Sequence, residues 1–200
     1  MIARKARRME SSEADRVAHL IHEAGVLKLL PRTGWAYCGI SSPESIAEHS
    51  FRTALIAGVV AKAEGADPAR ATYLAVWHDT QETRVLDIPH LGRKYLDAAS
   101  NEKVTADQVS GLPEDIAEDL KALIHEYESA ESLEAQCARD ADKLECLFQA
   151  IEYRDAGARN VEGWIETSRA KLRTRAGKQI ADAALSQESS QQWHAAAIRS

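Results

Sequence analysis

The chain has 200 residues, a length that one compact domain accommodates. Hydrophobic residues make up 44% of the sequence and charged residues 28%, so the composition is that of a globular protein and excludes a disordered chain. The net charge of −6 argues against a nucleic-acid polymer as partner, because phosphate backbones attract basic surfaces. A small phosphorylated molecule is compatible with this charge, since one or two local arginines suffice to bind it.

Apolar residues recur at helical spacing along the chain, and capping residues, Gly and Pro mark where helices begin and end. The predicted helices are, in chain order, Ser12 to Gly25, Pro43 to about Gly65, Asp67 to about Arg84, Leu112 to about Ser129 and Ser132 to about Asp155. Weaker helical patterns cover 161–172 and 180–185, while 27–42 and 89–110 are predicted loops, the second with a short helix inside. No segment alternates apolar and polar residues as a strand would, so the sequence predicts an all-α fold in a single domain.

Three features predict a cytoplasmic protein without membrane contact. The longest segment without polar side chains, residues 54–61, is less than half of the roughly 20 residues that a membrane helix requires. No apolar segment follows the basic residues near the start of the chain, so a secretory signal is not expected. The three cysteines are odd in number and form no CxxC pair, which fits a reducing compartment and argues against a disulfide framework.

His49, the pair His78 and Asp79, and Asp142 each fall within a predicted helix beside apolar neighbours. Imidazoles and carboxylates are donors that a borderline divalent cation such as Mn²⁺, Co²⁺, Fe²⁺, Ni²⁺ or Zn²⁺ accepts. Because burying several ionisable groups is unfavourable unless a charge compensates them, the four together favour a metal site. Each alone also has an ordinary explanation: a hydrogen-bonded core histidine, a surface dipeptide, or an aspartate paired with Lys143.

The order of these residues resembles the H…HD…D signature of the HD-domain metal-dependent phosphohydrolases, and more narrowly their 5′-deoxynucleotidase branch. The segments that carry the resemblance are LKLLPRTGW at 27–35, PESIAEHSFR at 43–52, WHDTQE at 77–82, DIP at 87–89, EY at 126–127 and EAQCARDADKLECLFQAIEY at 134–153. The likeness covers roughly residues 15–175, and it implies one helical HD domain over residues 1–200 with a C-terminal helical extension from about 176.

The resemblance implies one divalent metal ion held by His49, His78, Asp79 and Asp142. Asp140 lies two residues before Asp142, and the two point about 200° apart on a helix, so both cannot face the ion. The family pattern places the ligand directly before the KLE-like segment, which selects Asp142.

By the same resemblance, Glu82 and Asp87 are the acid/base candidates near the scissile phosphate. A carboxylate beside the reacting water takes its proton, whereas a protonated carboxyl donates to the leaving 5′ oxygen. Without the resemblance, Glu82 is more simply interpreted as a salt-bridge partner of Arg84. The family usually has glycine before the Asp-Ile pair, where this chain has Leu86. Because leucine disfavours a positive φ, we expect Asp87 to be less securely placed than Glu82.

Arg32, Thr33 and Trp35 lie in the predicted loop before the first metal ligand, and the resemblance implies that they bind the substrate. An arginine clamps a phosphate through two parallel hydrogen bonds, and a tryptophan offers a flat wall for a nucleotide pocket. The alternative is a solvated Arg32 and a Trp35 that anchors the loop in the core.

The expected function is the metal-dependent hydrolysis of deoxyribonucleoside 5′-monophosphates to deoxynucleosides and phosphate. Two alternatives remain at this point: an HD-domain phosphohydrolase acting on another small phosphate ester, and a non-catalytic nucleotide-binding HD module. The sequence contains no P-loop, dinucleotide-binding or serine-nucleophile motif. The resemblance also implies a homodimer that forms through helices.

Overall fold

The computed structural model describes residues 8–199, and this part of the chain forms ten α-helices and no extended strand, which confirms the all-α prediction. The helices are α1 Ser11–Ala24, α2 Ile46–Glu64, α3 Pro68–Trp77, α4 Glu82–Val85, α5 Asn101–Gln108, α6 Glu114–Ser129, α7 Leu133–Asp155, α8 Glu162–Lys171, α9 Arg175–Leu185 and α10 Gln192–Arg199. The first seven residues, which bear on the expectation about a secretory signal, and Ser200 lie outside the described residues. No helix of residues 8–199 is both long and apolar enough to span a bilayer.

Side-chain caps fix where the helices that carry the site begin. Before α2, Ser45 Oγ accepts a hydrogen bond from the Glu48 backbone N–H at 3.2 Å, and Glu48 Oε2 accepts one from the Ser45 N–H at 2.7 Å. This reciprocal pair is a capping box. The side chains of Asp67 and Ser132 cap α3 and α7 by accepting from backbone N–H groups of the first turn. Each of these three helix starts therefore carries a side-chain cap.

The central helix is α7, which packs against α2, α3, α6, α8 and α9. Leu144 and Leu147 of α7 are fully buried in one apolar cluster with Val60 of α2 and Leu74 of α3. Burial of each such side chain stabilises the fold by about 1.5–3 kcal/mol. The packing of α2 and α3 on α7 brings their polar residues to the middle of α7.

The second predicted helix begins later than expected. Pro31 and Ser45 pair as a single antiparallel bridge, and the Arg32 N–H donates to the Glu44 carbonyl at 2.9 Å. This contact keeps the residues after Pro43 extended, so α2 starts three residues beyond that proline. The prediction that the helix starts at Pro43 is wrong because a segment distant in sequence competes for its backbone.

The third predicted helix is interrupted, and the prediction that it continues to Arg84 is wrong. α3 ends at Trp77, and α4 begins at Glu82. Between them the hydrogen bonds span three residues rather than four, as from the Glu82 N–H to the Asp79 carbonyl at 3.1 Å. Neighbouring residues of a regular helix point about 100° apart. The turn at His78 and Asp79 removes this restriction, and both side chains face the same cluster.

The remaining segments follow the sequence closely. The predicted loop at 27–42 is only partly irregular, since 3₁₀ turns occur at Gly25–Lys28 and Thr33–Cys38. The short helix expected inside 89–110 is α5, and the weak pattern at 161–172 is α8. α9 starts at Arg175, before the predicted 180, because Thr174 Oγ1 caps it by accepting from the Gly177 N–H.

Candidate active site

Three elements bring the predicted metal ligands together: α2 contributes His49, the turn after α3 contributes His78 and Asp79, and α7 contributes Asp142. His49 Nε2 lies 3.3 Å from Asp142 Oδ1 and 3.7 Å from Asp79 Oδ2. His78 Nε2 lies 3.1 Å from the same Asp79 oxygen. His49 Nε2 is therefore close to both carboxylates, and His78 Nε2 is close to the same Asp79 oxygen. Both histidines are buried, and the aspartates are only slightly accessible.

The other ring nitrogen of each histidine is already bound. His49 Nδ1 lies 2.5 Å from Glu145 Oε2, and His78 Nδ1 lies 2.7 Å from the Ala75 carbonyl oxygen. Acceptors at these positions require a proton on Nδ1, which leaves the Nε2 lone pairs directed at the cluster. Among the described residues, His78 Nε2 and Glu82 Oε2 are buried polar atoms without a hydrogen-bond partner. Such atoms require an explanation, and a cation at the cluster supplies one.

The donor set fits a borderline divalent cation. Neutral imidazole and carboxylate are ligands of Mn²⁺, Co²⁺, Fe²⁺, Ni²⁺ and Zn²⁺. Metal-binding histidines usually donate their second N–H to a carboxylate or a backbone carbonyl, as His49 and His78 do through Glu145 and Ala75. Among the described residues, the donor atoms of His49, His78 and Asp79 all lie within 4.8 Å of one another. Asp142 is not part of this group and contacts it through His49.

Glu145 contacts the cluster, although no role was predicted for it from the sequence. Its side chain is fully buried between two partners on α2, because Oε2 contacts His49 while Oε1 accepts from Arg52 Nε at 2.9 Å and Nη2 at 2.7 Å. Hydrogen bonds and charge from these partners hold its pKa below the usual value although burial acts to raise it. The available signal was the spacing, since Glu145 follows Asp142 by three residues and shares its helix face.

Asp140, the alternative to Asp142, faces a different part of the protein. Its carboxylate accepts hydrogen bonds from the backbone N–H groups of Arg173 at 2.9 Å and Thr174 at 2.7 Å, and from Thr174 Oγ1 at 2.7 Å. These groups precede α9, and a carboxylate there satisfies otherwise unpaired donors. Asp140 thus links α7 to α9.

The cluster has perturbed proton affinities. Burial and the neighbouring Asp79 carboxylate raise the pKa of Glu82 to about 9. For Asp79 itself, burial acts in the same direction, but His78 and Arg32 outweigh it and hold the pKa well below the usual range. Burial acts to lower the pKa of His49, yet Asp142 and Glu145 raise it to about 9. The protein thus keeps one carboxyl protonated beside an ionised one, an arrangement typical of acid/base sites.

Arg32 extends into this cluster from the loop before α2. Its Nη1 donates to Asp79 Oδ2 at 3.1 Å and lies 4.0 Å from Glu82 Oε2, while Nη2 lies 4.0 Å from Asp142 Oδ1. Lys143 approaches from the opposite side, with Nζ donating to Asp142 Oδ2 at 2.6 Å. Arg32 is therefore not the solvated side chain of the alternative interpretation.

Thr33 connects the same loop to Asp87. Its backbone N–H donates to Asp87 Oδ2 at 2.6 Å, and its hydroxyl donates to the Asp87 carbonyl at 2.7 Å. The preceding Leu86 has φ 64° and ψ 167°, a region that L residues rarely occupy. Leu86 thus adopts a positive φ although leucine disfavours one, and Thr33 holds the neighbouring Asp87 through hydrogen bonds. The expectation that Asp87 is less securely placed than Glu82 stays a prediction.

Trp35 lies at the border of the site, but its exposed fraction is only 1%. Its ring packs against Trp164 and Tyr153 at centroid distances of 4.5 and 5.1 Å, and its Nε1 donates to Glu44 Oε1 at 3.0 Å. Trp35 therefore anchors the loop in the core, and only an edge of it faces the cavity beside the cluster. This cavity of about 320 Å³ also exposes residues not predicted from sequence, among them Tyr127, Lys143, Trp164 and Thr167.

An all-helical fold with a buried His/Asp centre suited to a divalent cation defines a restricted class of proteins. Residues 24–184 match the family model of the HD domain, and the chain belongs to this family. The 5′-deoxynucleotidase HDDC2 of Bos taurus is 35% identical over 149 residues, covering 74% of this chain and 72% of that protein. The 5′-deoxynucleotidase hdd1 of Schizosaccharomyces pombe is 36% identical over 133 residues, covering 64% and 67%. A solved structure, a conserved hypothetical protein from Pyrococcus furiosus, aligns with a TM-score of 0.71 and 32% identity over 84% of this chain and 98% of that one.

Proposed function

We propose that this protein is a metal-dependent 5′-deoxynucleotidase, which hydrolyses deoxyribonucleoside 5′-monophosphates to deoxynucleosides and phosphate. The observation that carries the proposal is the convergence of two imidazole Nε2 atoms with carboxylate oxygens of Asp79 and Asp142. The relatives named 5′-deoxynucleotidases support the substrate class.

In this proposal His49, His78, Asp79 and Asp142 hold one divalent cation. When bound, the cation supplies positive charge that lowers the pKa of a water and offsets charge on the phosphate. The identity of the metal within the Mn²⁺, Co²⁺, Zn²⁺, Fe²⁺ and Ni²⁺ group is part of what the experiment below measures.

The residues around the proposed ligands have distinct roles. Arg32 has five N–H donors in a planar fork; Nη1 donates to Asp79 and Nη2 to Cys146 Sγ at 3.7 Å, and the remaining N–H groups are available to phosphate oxygens. Glu82 is the proposed donor of a proton to the leaving 5′ oxygen, since burial favours the protonated form of its carboxyl and raises its pKa to about 9 in the metal-free protein. Asp87 lines the cavity and is the acceptor for the proton of the attacking water. Thr33 is a positioning residue, since it holds Asp87 through two hydrogen bonds.

The proposal also includes a cytoplasmic location, with a small nucleotide rather than a nucleic-acid polymer as the ligand, and a homodimer. Charge supports the choice of ligand, since the net charge is −6 whereas Arg32 and Lys143 supply positive charge locally at the site. For Trp35 we propose a minor substrate contact through its accessible edge.

The test is release of inorganic phosphate from dAMP, dTMP and AMP by purified protein, with Mn²⁺, Co²⁺ or a chelator present. We expect release from the deoxynucleotides with metal, none with chelator, and loss of both metal and activity in His78→Ala. If phosphate is released only from other phosphate esters, the protein is an HD-domain phosphohydrolase with a different substrate. If nucleotides bind but no phosphate is released, it is a non-catalytic nucleotide-binding HD module. Either result refutes the proposed function.

A further inference from the structure

The EY segment at 126–127 contains one residue that the proposed function leaves without a role. Glu126 is a structural residue, since its Oε2 accepts from Arg70 Nε at 2.9 Å and its Oε1 from Ser132 Oγ at 2.6 Å. Tyr127, in the last turn of α6, has an exposed fraction of 5% and lines the cavity beside the cluster. The two neighbours in sequence therefore face different parts of the protein.

Two contacts fix the ring of Tyr127. The centroid of the ring lies 5.4 Å from that of the His78 imidazole, and the guanidinium carbon of Arg139 lies 5.2 Å from the same centroid. Arg139 is itself held, because Nη1 donates to the Glu128 carbonyl at 3.2 Å and Nη2 to Glu128 Oε2 at 3.4 Å. The position of the Tyr127 hydroxyl is thus set by the packing of α6 against α7 and the turn after α3.

The hydroxyl of Tyr127 has no hydrogen-bond partner in the part of the chain that the structure describes. The fully enclosed polar atoms without a partner do not include it, so the hydroxyl is reached from the cavity. Buried hydroxyls are normally paired, and this one requires a partner that enters the cavity. Burial, and then the charges of Asp142 and Asp79, raise the pKa of the phenol well above its usual value, so the group keeps its proton and is a donor.

The partner that suits this donor is an anionic oxygen. Three cations that line the same cavity already bind carboxylates of the protein. They are Arg32, Lys143 and Arg139, bound to Asp79, Asp142 and Glu128 respectively. The Tyr127 hydroxyl is not engaged in this way, and as a neutral donor it does not compete with a dication for the aspartates. A phosphate oxygen that enters the cavity therefore meets a donor with no other partner.

We propose that Tyr127 is a further catalytic residue, whose hydroxyl donates a hydrogen bond to a non-bridging oxygen of the phosphoryl group of the substrate. This inference rests on the proposed function, and it adds an uncharged donor to Arg32. A preorganised donor of this kind stabilises the charge that develops on the phosphoryl oxygens. Since His78 and Arg139 already order the ring, the hydrogen bond requires no rearrangement of α6.

The variant Tyr127→Phe removes the hydroxyl and keeps the ring against His78 and Arg139. We expect kcat/KM for dAMP to fall about 10–100-fold, the loss for a hydrogen bond to a charged group. Binding of orthovanadate, an analogue of the phosphoryl group, to the metal-loaded protein should weaken by a similar factor in isothermal calorimetry. Tyr73→Phe is the matched control, since it removes a hydroxyl that donates to Asp119 Oδ2 away from the cavity. Both measurements on this control should stay within about twofold of the original protein.

Metal affinity separates contact with the substrate from an effect through His78. Titration of metal-free Tyr127→Phe with Mn²⁺ should give a dissociation constant within about twofold of the original, because the ring remains. A loss of metal affinity as large as the loss of kcat/KM overturns the proposal, since Tyr127 would then act by positioning His78.

Orthovanadate separates the phosphoryl group from the rest of the nucleotide. Unchanged orthovanadate binding in Tyr127→Phe overturns the proposal even if dAMP hydrolysis slows, because the hydroxyl would then contact the nucleoside. An unchanged kcat/KM overturns it as well, and so does an original protein that does not bind orthovanadate. Orthovanadate binding that depends on Tyr127, without phosphate release from any deoxynucleotide, contradicts the proposed function and leaves this contact in place.

Discussion

Replacement of Glu145 by Gln tests whether the residues behind the cluster determine its affinity for metal. The carboxylate accepts hydrogen bonds on both oxygens, from His49 Nδ1 on one and from Arg52 on the other. An amide of the same shape has only one acceptor oxygen. Whichever way the amide turns, its NH₂ group meets a donor, from His49 or from Arg52. The imidazole then loses its fixed orientation or its tautomer.

The expected loss of metal affinity follows from the role of the group that binds the second ring nitrogen of a metal-binding histidine. Removing the group that orients a metal-binding histidine lowers metal affinity by about 10–100-fold, or roughly 1.4–2.7 kcal/mol. The assay is titration of metal-free Glu145→Gln and original protein with Mn²⁺ or Co²⁺ by isothermal calorimetry, with circular dichroism as the check on folding. At saturating metal, turnover should recover most of its original value, because Glu145 itself does not touch the substrate.

Glu152→Gln is the matched control for this experiment. Glu152 also accepts from Arg52, through Nη1 at 2.7 Å, but no contact links it to His49 and it is more exposed. We expect its metal affinity to stay within about twofold of the original, as for a solvent-accessible ion pair. An unchanged affinity in Glu145→Gln would falsify the argument that Glu145 acts through His49, and an equal loss in Glu152→Gln would assign the effect to Arg52 instead.

Four further predictions concern the cluster and the segments that hold it. Asp142→Asn should lose metal binding in calorimetric titration, whereas Asp140→Asn should keep it and lose about 1–2 kcal/mol of unfolding free energy in urea, because only the support of α9 is weakened. Leu86→Gly should raise the free energy of unfolding by about 1 kcal/mol, because relief of the strained positive φ outweighs the added flexibility of the unfolded chain. An unchanged urea midpoint would argue against strain at Leu86. In metal-free protein the pKa of Glu82 is about 9 in the folded state and about 4.5 in the unfolded state. The protonated carboxyl therefore contributes fully to the free energy of unfolding below pH 4.5, and this contribution is lost as the pH rises toward 9. The free energy of unfolding of Glu82→Gln should fall less steeply between these pH values than that of the original protein, and parallel curves of unfolding free energy against pH refute the shift. Arg32→Ala should bind the dication several-fold more tightly in titration, since a competing cation leaves Asp79, yet lose about 10²–10³-fold in kcat/KM for dAMP.

Much of the fold was predictable where its determinants are local. Ser132 and Asp67 mark helix starts because their side chains bond to the next backbone turn, and the apolar periodicity of α7 identifies its buried face. The cap by Thr174 that starts α9 is also local, but it was missed. Two other errors arise where distant segments decide. The start of α2 depends on the pairing of Pro31 with Ser45, and the interruption after Trp77 on the packing around the cluster. No local pattern contains either contact.

The resemblance identified the candidate ligands and Glu82, and the structure places these side chains near one another, while their roles stay predictions. The contacts that support the candidate site could not be predicted. Single-residue reasoning had to leave His49 as an ordinary core histidine, because its partners lie far away in sequence. The link from Glu145 to Arg52, 93 residues apart, exists only after α7 packs on α2. The positive φ of Leu86 could not be predicted from leucine propensity, because propensity describes the residue and not the contacts between Thr33 and Asp87 beside it.

The charges of the site explain why these supports are needed. Asp79 and Asp142 are largely buried carboxylates that both lie near His49 Nε2, an arrangement of like charges that requires compensation by a cation. The chain provides part of this compensation, since Arg32 binds one aspartate and Lys143 the other. In the proposed function, a dication competes with both side chains for carboxylate oxygens, and any donor it frees on Arg32 becomes available for the phosphate of the substrate. The proposal therefore couples metal binding and phosphate binding through the same guanidinium.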